Sequence, residues 1–323
     1  MSSGEISAGG AGKATESLRS LRALMRAESF TLQAFERHIE QLAPALIESA
    51  DIVVSAVDSV STRRHLARWC RLLGLPLVEG GFSGSMLNVS VYSPDRDEAC
   101  YGCLTFTGVE TMSCTEVARR HTIAEVVPTL QSTAAVAAGL VTELVVEIAH
   151  DRILKYGHQL HFNIRGWRRA DMIVERRREC ALGHEPIDEI RDLAEVPASW
   201  DEFHQLLRLD VDVLLLPAPL VRCALCPICQ QWVTPNEPDW LFYSRSECNC
   251  STSGLQTATG DGITQIRYEV ERRDLRTVAL TTDPAWLGLR PGGRVVVSSG
   301  GRNVLVRLPG ADVPDEMEVV DAY

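Results

Sequence analysis

The sequence predicts an α/β fold followed by a β-rich C-terminal region, and three observations support this. The continuous apolar run at residues 52–54 is typical of a strand buried in a parallel sheet. An amphipathic, Arg-rich helix is predicted over 61–73, ends at Gly74, and is followed by a short strand at 77–79. From residue 263 onward, apolar and polar residues alternate as they do in strands. Strands that alternate with helices indicate a sheet with helical crossovers.

Further elements are predicted in chain order on either side of that unit. Residues 14–25 have helical spacing, 30–35 alternate as a strand, 41–48 read as a short helix and 86–92 as a strand. Residues 1–12 are small, polar and rich in Gly, so we expect them to be disordered.

The second half of the chain begins with one long helical segment, predicted over 124–156. We then expect strands within 159–174, an acidic helix over 186–207 and strands within 208–228. Pro291-Gly292-Gly293 predicts a hairpin-type turn in the β-rich tail.

Composition limits the class of protein. The 323 residues carry a formal net charge of −11, which argues against non-specific binding to nucleic acid or to an anionic membrane. The longest apolar stretch, 133–148, is too short to span a bilayer and contains two glutamates. Residues 1–11 do not resemble a secretory signal, so paired cysteines favour zinc over disulfides. We therefore expect a cytoplasmic protein.

Eight of the ten cysteines are candidate metal ligands by their spacing, and two C-x-x-C motifs are the clearest part of that pattern. They are Cys100-Tyr101-Gly102-Cys103 and Cys226-Pro227-Ile228-Cys229. Structural zinc takes four soft ligands, usually from two such pairs far apart in sequence. The second motif has the form of a zinc-ribbon knuckle that Cys248 and Cys250 would complete. Cys223 could compete as a ligand, the two motifs could also pair with each other, and free buried thiols are the remaining alternative.

Residues 10–185 resemble the ThiF/MoeB/HesA family, relatives of the ubiquitin-activating enzymes. The run 50–58 ends at Asp58, which matches the second aspartate of the family's D-x-x-D-N motif; serines at 55 and 59 replace its first and last residues. The stretches 62–68 and 74–81 also fit the family pattern, and Gly10-Ala11-Gly12-Lys13-Ala14 resembles its G-x-x-K-A. The resemblance implies a Rossmann-like, ThiF-type sheet.

The resemblance also implies a reaction and its participants. Family members use ATP to adenylate the C-terminus of a ubiquitin-like or sulfur-carrier protein. Lys13 would steady the phosphates and Asp58 would hold Mg²⁺. The alternatives are an exposed lysine at a helix start and an aspartate that caps the next turn.

Two further assignments follow from the family. Its C-x-x-C motif is closed by a second one beyond the long helix, where this chain has Cys180 and His184, so a Cys₃His zinc site is implied. Cys114 lies where the family carries an acceptor cysteine, and nearby basic residues would lower the pKa of its thiol. The alternative is that Cys114 is a loop cysteine without a functional role. Cys70 is expected in the core.

The family's G-x-G-x-x-G phosphate loop and first strand have no counterpart in this sequence. We therefore expect a ThiF-type sheet without its first βαβ unit, completed by a homodimer or heterodimer partner, unless the start codon is set too late. The predicted parts of the chain are a disordered N-terminus at 1–12, a ThiF-like domain at 13–185, a helical linker with a zinc ribbon at 186–260 and a β-rich domain at 261–323.

The alternative function is that of an inactive subunit, which would bind a ubiquitin-like protein or a peptide leader.

Overall fold

A computed structural model describes most of the chain in several segments. They are residues 13–24, 31–42, 44–104, 131–152, 156–180, 182–184, 186–225, 231–234, 236–238, 241, 265–310 and 317–321. The helices are α1 (Lys13–Leu24), α2 (Pro44–Glu48), α3 (Val60–Leu73), α4 (Gln131–Ala149), α5 (Trp200–Leu207) and α6 (Arg272–Thr281). The strands of the first half are β1 (Thr31–Phe35), β2 (Val53–Ser55), β3 (Leu77–Ser83), β4 (Met86–Tyr92), β5 (His158–Asn163) and β6 (Arg168–Ile173). Those of the second half are β7 (Glu189–Asp192), β8 (Val213–Leu225), β9 (Trp232–Val233), β10 (Glu237–Pro238), β11 (Gln265–Glu271), β12 (Arg294–Ser299), β13 (Arg302–Arg307) and β14 (Met317–Asp321).

The first sheet has the strand order β2-β3-β4-β5-β6 and confirms the predicted α/β character. The β2 and β3 strands are parallel and joined by α3, whereas the remaining neighbours are antiparallel. The two-residue turn at Gly84 and Ser85 explains the change, because so short a connection can join antiparallel strands but not parallel ones. The sheet is therefore mixed, and its β2 edge has one neighbour among the described strands.

Helix α3 covers one face of this sheet, and its ends agree with the sequence prediction. The Ser59 hydroxyl accepts a hydrogen bond from the Thr62 amide at the first turn, and Gly74 ends the helix with φ of 72°. Its buried face includes Trp69 and Cys70, and burial raises the pKa of the Cys70 thiol to about 12. Cys70 therefore belongs to the core, as predicted.

Helix α4 covers the other face. Helix α4 lies close to β3 at Gly80, where an added Cβ would lie 2.7 Å from a methyl carbon of Val141 in the helix. By length and composition α4 is also apolar enough to cross a membrane, and 11% of its most apolar window is buried. Its contact side packs Ala137 against Leu87 and Val89. The expected absence of membrane contact stays a prediction.

The second sheet is built around β8. The order β10-β8-β12-β13-β7 runs through it, and β9 and β11 also pair with β8. Its core contains Phe203, Leu216, Val297 and Val306, all fully buried. A separate two-stranded sheet joins β1 to β14.

Two predictions for this region are corrected. The acidic helix expected over 186–207 is wrong in its first part, because residues 189–192 add to β13 as a parallel strand and Pro197 interrupts the helical pattern. Helix α5 starts at Trp200, where Ser199 caps it. The tail contains α6, which was not predicted, and the β12–β13 hairpin turns at 300–301 rather than at 291–293.

Candidate metal centre and the Asp58 loop

Four side chains implied as metal ligands come together beside the first sheet. Cys100 and Cys103 lie in a 3₁₀ turn after β4, and Cys180 and His184 lie in the segment after β6. The Cys100 Sγ atom is 3.9 Å from Cys103 Sγ and 3.5 Å from Cys180 Sγ. The His184 Nε2 atom is 3.7 Å from Cys100 Sγ and 3.1 Å from Cys103 Sγ. All four ligand atoms lie within 4.8 Å of one another.

These distances fit one tetrahedral ion. With zinc bonds of ~2.3 Å to sulfur and ~2.0 Å to nitrogen at tetrahedral angles, the ligand atoms are about 3.8 Å apart for two sulfurs and about 3.5 Å apart for sulfur and nitrogen. The donors are three thiols and an imidazole, which suit zinc and not the oxygen-seeking Mg²⁺. The described residues could therefore hold a metal ion through these four donors.

The cysteines of this cluster are buried among apolar residues. Cys100 and Cys103 are each 3% exposed, and Tyr101 and Leu182 pack beside them. The three thiols share hydrogen bonds: those to Cys103 and Cys180 raise the pKa of Cys100, and those from Cys100 and Cys180 lower the pKa of Cys103. Crowding of three thiols in a low-dielectric site favours a bound cation that takes them as thiolates.

His184 is oriented by the segment before Cys100. Its Nδ1 atom is 3.1 Å from the backbone oxygen of Arg96 and 2.6 Å from Nη2 of Arg71. If Nε2 binds a metal, Nδ1 carries the proton and donates a hydrogen bond to the Arg96 oxygen, the usual second hydrogen bond of a ligating histidine, and it accepts none from Arg71. The Arg71 guanidinium donates to the same oxygen at 2.7 Å. Three thiolates with one Zn²⁺ leave a net charge of −1, which this cation offsets.

Gly102 allows the cluster to close. A Cβ at this position would lie 2.6 Å from Cγ of Leu182 and 2.8 Å from Sγ of Cys180. The variant Gly102→Ala is therefore expected to displace Cys180 and to weaken metal binding by at least about tenfold, which is the usual effect of disturbing the groups that position a metal ligand. Competition with a chromogenic chelator measures this.

Gly139→Ala is the matched control, because among the described residues no atom beyond the adjoining helix backbone lies within 4 Å of the added methyl group. It should leave metal affinity unchanged and, in helix α4, raise stability by up to about 1 kcal/mol. Equal metal affinity in both variants would contradict the tight approach at Gly102.

A second candidate site lies at the carboxyl end of β2. Asp58 is exposed there, directly before the Ser59 cap of α3. The Val57 backbone oxygen accepts hydrogen bonds from Nε and Nη2 of Arg63, at 2.9 and 2.7 Å. Nη1 of the same guanidinium donates to Oε1 of Glu79 at 2.5 Å. The segment that presents Asp58 is therefore tied to β3.

Glu79 is buried in the middle of this arrangement. It is 1% exposed, and burial raises the pKa of its carboxyl group while the charge of Arg63 opposes the rise. Its β2 and β4 neighbours are Ser55 and Ser90, both buried. Gly81 makes room for Arg63, since a Cβ there would lie 2.9 Å from Nη2. Sequence reasoning missed this ion pair, although a glutamate inside an apolar strand signals a buried partner.

Several predicted site residues or their side chains lie outside the described part of the structure. Lys13 is the first residue of α1, but its side chain lies outside the described part of the structure, as does Cys114. The predicted ligands of the second zinc site also lie outside the described residues. They are Cys226, Cys229, Cys248 and Cys250.

Comparison with known proteins establishes the family. Residues 9–182, more than half of the chain, match the model of the ThiF family. The chain belongs to the ThiF family. The match ends at Leu182, within the segment that carries Cys180 and His184, so all of the candidate centre except His184 lies inside the region of ThiF similarity.

Individual relatives of this ThiF-family chain overlap it in part. The SUMO-activating enzyme subunit 2 of Dictyostelium discoideum is 38% identical over 53 residues, which are 16% of this chain and 8% of the relative. Two structures of Escherichia coli MccB, one with ATP and one with MccA-N7isoASN, share 15% identity with it and have TM-scores of 0.35 and 0.37. The overlaps cover 46% and 47% of this chain, and 44% and 45% of MccB.

Proposed function

We propose that this chain takes part in the ATP-dependent adenylation of the C-terminus of a ubiquitin-like or sulfur-carrier protein, or of a peptide. The observation that carries the proposal is the exposed carboxylate of Asp58 at the carboxyl end of β2, in a segment anchored by Arg63. Ligands of α/β sheets bind outside the carboxyl ends of the strands. Membership of the ThiF family supports the same reaction class.

In this proposal Asp58 binds Mg²⁺ and Lys13 contacts the phosphates of ATP. The acyl-adenylate would then be attacked by Cys114, with release of AMP. A partner chain, in a homodimer or heterodimer, supplies the Gly-rich phosphate loop beside β2. The open β2 edge among the described strands is compatible with such an addition.

We further propose that both metal centres hold zinc in a structural role. The Cys₃His donor set described above supports the first, and the spacing of the later cysteines supports the second. The remaining assignments are also proposals: a cytoplasmic protein that does not bind nucleic acid or membrane, and the four-part domain division.

An inactive subunit that binds the carrier protein or peptide is the second candidate. Ser55 favours it, because this residue replaces a carboxylate of the family motif and is 1% exposed with an unpaired hydroxyl among the described residues. One carboxylate therefore lies at this end of β2 where the family has two. Carrier binding that survives Asp58→Ala and Cys114→Ala without any adenylation would support this candidate.

Replacing Asp58 with asparagine is expected to reduce ATP–pyrophosphate exchange at least about a hundredfold, because the neutral amide loses the charge that holds Mg²⁺. Exchange is measured with the full chain alone and with candidate partner chains.

Asp51→Asn is the control, since Asp51 is exposed just before the opposite end of β2. It should retain full exchange. No exchange by the wild-type protein under either condition would refute the catalytic proposal, and equal exchange by both variants would exclude Asp58 from the site.

A further inference from the structure

A cavity of about 180 Å³ lies between the C-terminal half of α3 and the second sheet. Helix α3 contributes Arg71 and Leu72 to its wall, and β8 contributes Leu215. The volume equals that of about six water molecules at ~30 Å³ each, so the cavity suits a group the size of one amino-acid side chain.

The cavity wall is basic although the whole chain is acidic. Three arginines line it: Arg68, Arg71 and Arg96. Arg71 is 7% exposed, and its guanidinium donates hydrogen bonds to the backbone oxygens of Asp95 and Arg96, while its Nη2 atom lies 2.6 Å from Nδ1 of His184. In the described part of the chain no carboxylate pairs with Arg71 or with Arg96. Arg71 is buried and Arg96 is half-buried, and a guanidinium removed from water is stabilised by a nearby negative charge.

Two negative charges lie near these arginines, and neither compensates Arg96. The zinc-loaded cluster would carry a net charge of −1 beside Arg71. Glu269 lines the same cavity but is exposed, and it makes no ion pair with a described residue. Solvent screens an exposed carboxylate strongly. A further anion in the cavity would therefore be stabilised.

Apolar side chains form much of the remaining wall, which also contains Glu269, Ser298 and Asn303. Leu72, Leu182 and Leu215 line the cavity together with the arginines. Guanidinium groups bind carboxylates through two parallel hydrogen bonds, and the leucines favour an aliphatic group next to that carboxylate. We propose that this cavity binds a small monocarboxylate with an aliphatic side chain, either free or as the last residue of a peptide.

This site is separate from the Asp58 end of the sheet. Arg71 lies twelve positions after Ser59 along α3, a distance of about 18 Å along the helix axis. Leu182 and Gly183, which come between two candidate metal ligands, form part of the cavity wall. The candidate metal centre therefore holds one wall of the cavity in place, and the proposal does not depend on adenylation.

Titration calorimetry with the full, zinc-loaded chain tests the proposal. The probes are 4-methylpentanoate and its uncharged analogue 4-methylpentanamide, together with a tripeptide that ends in leucine. We expect the acid or the peptide to bind and the amide to bind at least about tenfold more weakly, because it cannot form the charged hydrogen bonds. The tighter of the two carboxylate probes identifies the free or the peptide source.

A pair of arginine variants assigns the binding to the cavity. Arg96→Gln keeps the backbone oxygen used by His184 but removes the charge, and should weaken binding about tenfold. Arg178→Gln alters an exposed arginine outside the cavity wall and should bind normally, and both variants should retain zinc. Three results would overturn the proposal: no binding at ligand concentrations of about 10 mM, equal binding of acid and amide, or equal binding by the two variants.

Discussion

Replacing Cys103 with serine is expected to remove one equivalent of metal from the protein and to lower its free energy of unfolding by about 3 kcal/mol or more. Cys103 is 3% exposed, and its sulfur lies 3.1 Å from Nε2 of His184. Because the position is buried, an exogenous thiol from solvent cannot replace the missing sulfur ligand. Metal analysis of the purified protein and denaturant unfolding measure the two effects.

Cys70→Ala is the matched control for that variant. Cys70 is equally buried and belongs to the same apolar cluster, but it is not one of the four candidate ligands. It should keep its metal and lose about 1 kcal/mol from packing alone. If the wild-type protein holds no metal, or if Cys103→Ser and Cys70→Ala lose the same amount of metal, the centre is not a metal site.

Replacing Arg63 with methionine is expected to lower the free energy of unfolding by about 3–5 kcal/mol near neutral pH, because it leaves the Glu79 carboxylate buried without its cation. The loss depends on pH. Burial already raises the pKa of Glu79, and without Arg63 the pKa rises further. A carboxyl group with a raised folded-state pKa contributes stability fully below its unfolded pKa of ~4.3, and that contribution is lost as pH rises through the folded-state pKa.

The difference in melting temperature between wild type and Arg63→Met should therefore be smallest near pH 4, where only the hydrogen bonds to Val57 are lost, and grow toward pH 8. The double variant Arg63→Met with Glu79→Gln is the control, since its side chain at 79 does not ionise, and its deficit should not change with pH. A single-variant deficit that stays constant from pH 4 to pH 8 would exclude Glu79 as its origin.

The local elements of the first sheet were largely predictable, because their signals lie within a few residues. Helix α3 shows this: its amphipathic pattern, the Ser59 cap and Gly74 are all local, and its predicted and observed ends agree within one residue. The helix predicted over 186–207 failed since strand β7 forms by pairing with β13, more than a hundred residues later. Helix α6 was not predicted, because the prediction for the tail relied only on the alternation of apolar and polar residues.

The candidate sites divide in the same way. Cys100 and Cys103 were evident from spacing, and the family resemblance led to Cys180 and His184. The ion pair between Arg63 and Glu79 could not be derived, because the two residues meet through the packing of α3 on β3.

By itself the sequence determined that this is an α/β protein of the ThiF family with metal-type cysteine pairs, since these properties are carried by residue type and short spacing. The tertiary structure decided that four donors from segments eighty residues apart converge within 4.8 Å, and that buried arginines meet leucines in one cavity. Convergence of this kind depends on how helix and sheets pack, and the free energy of packing comes from contacts between residues distant in the chain.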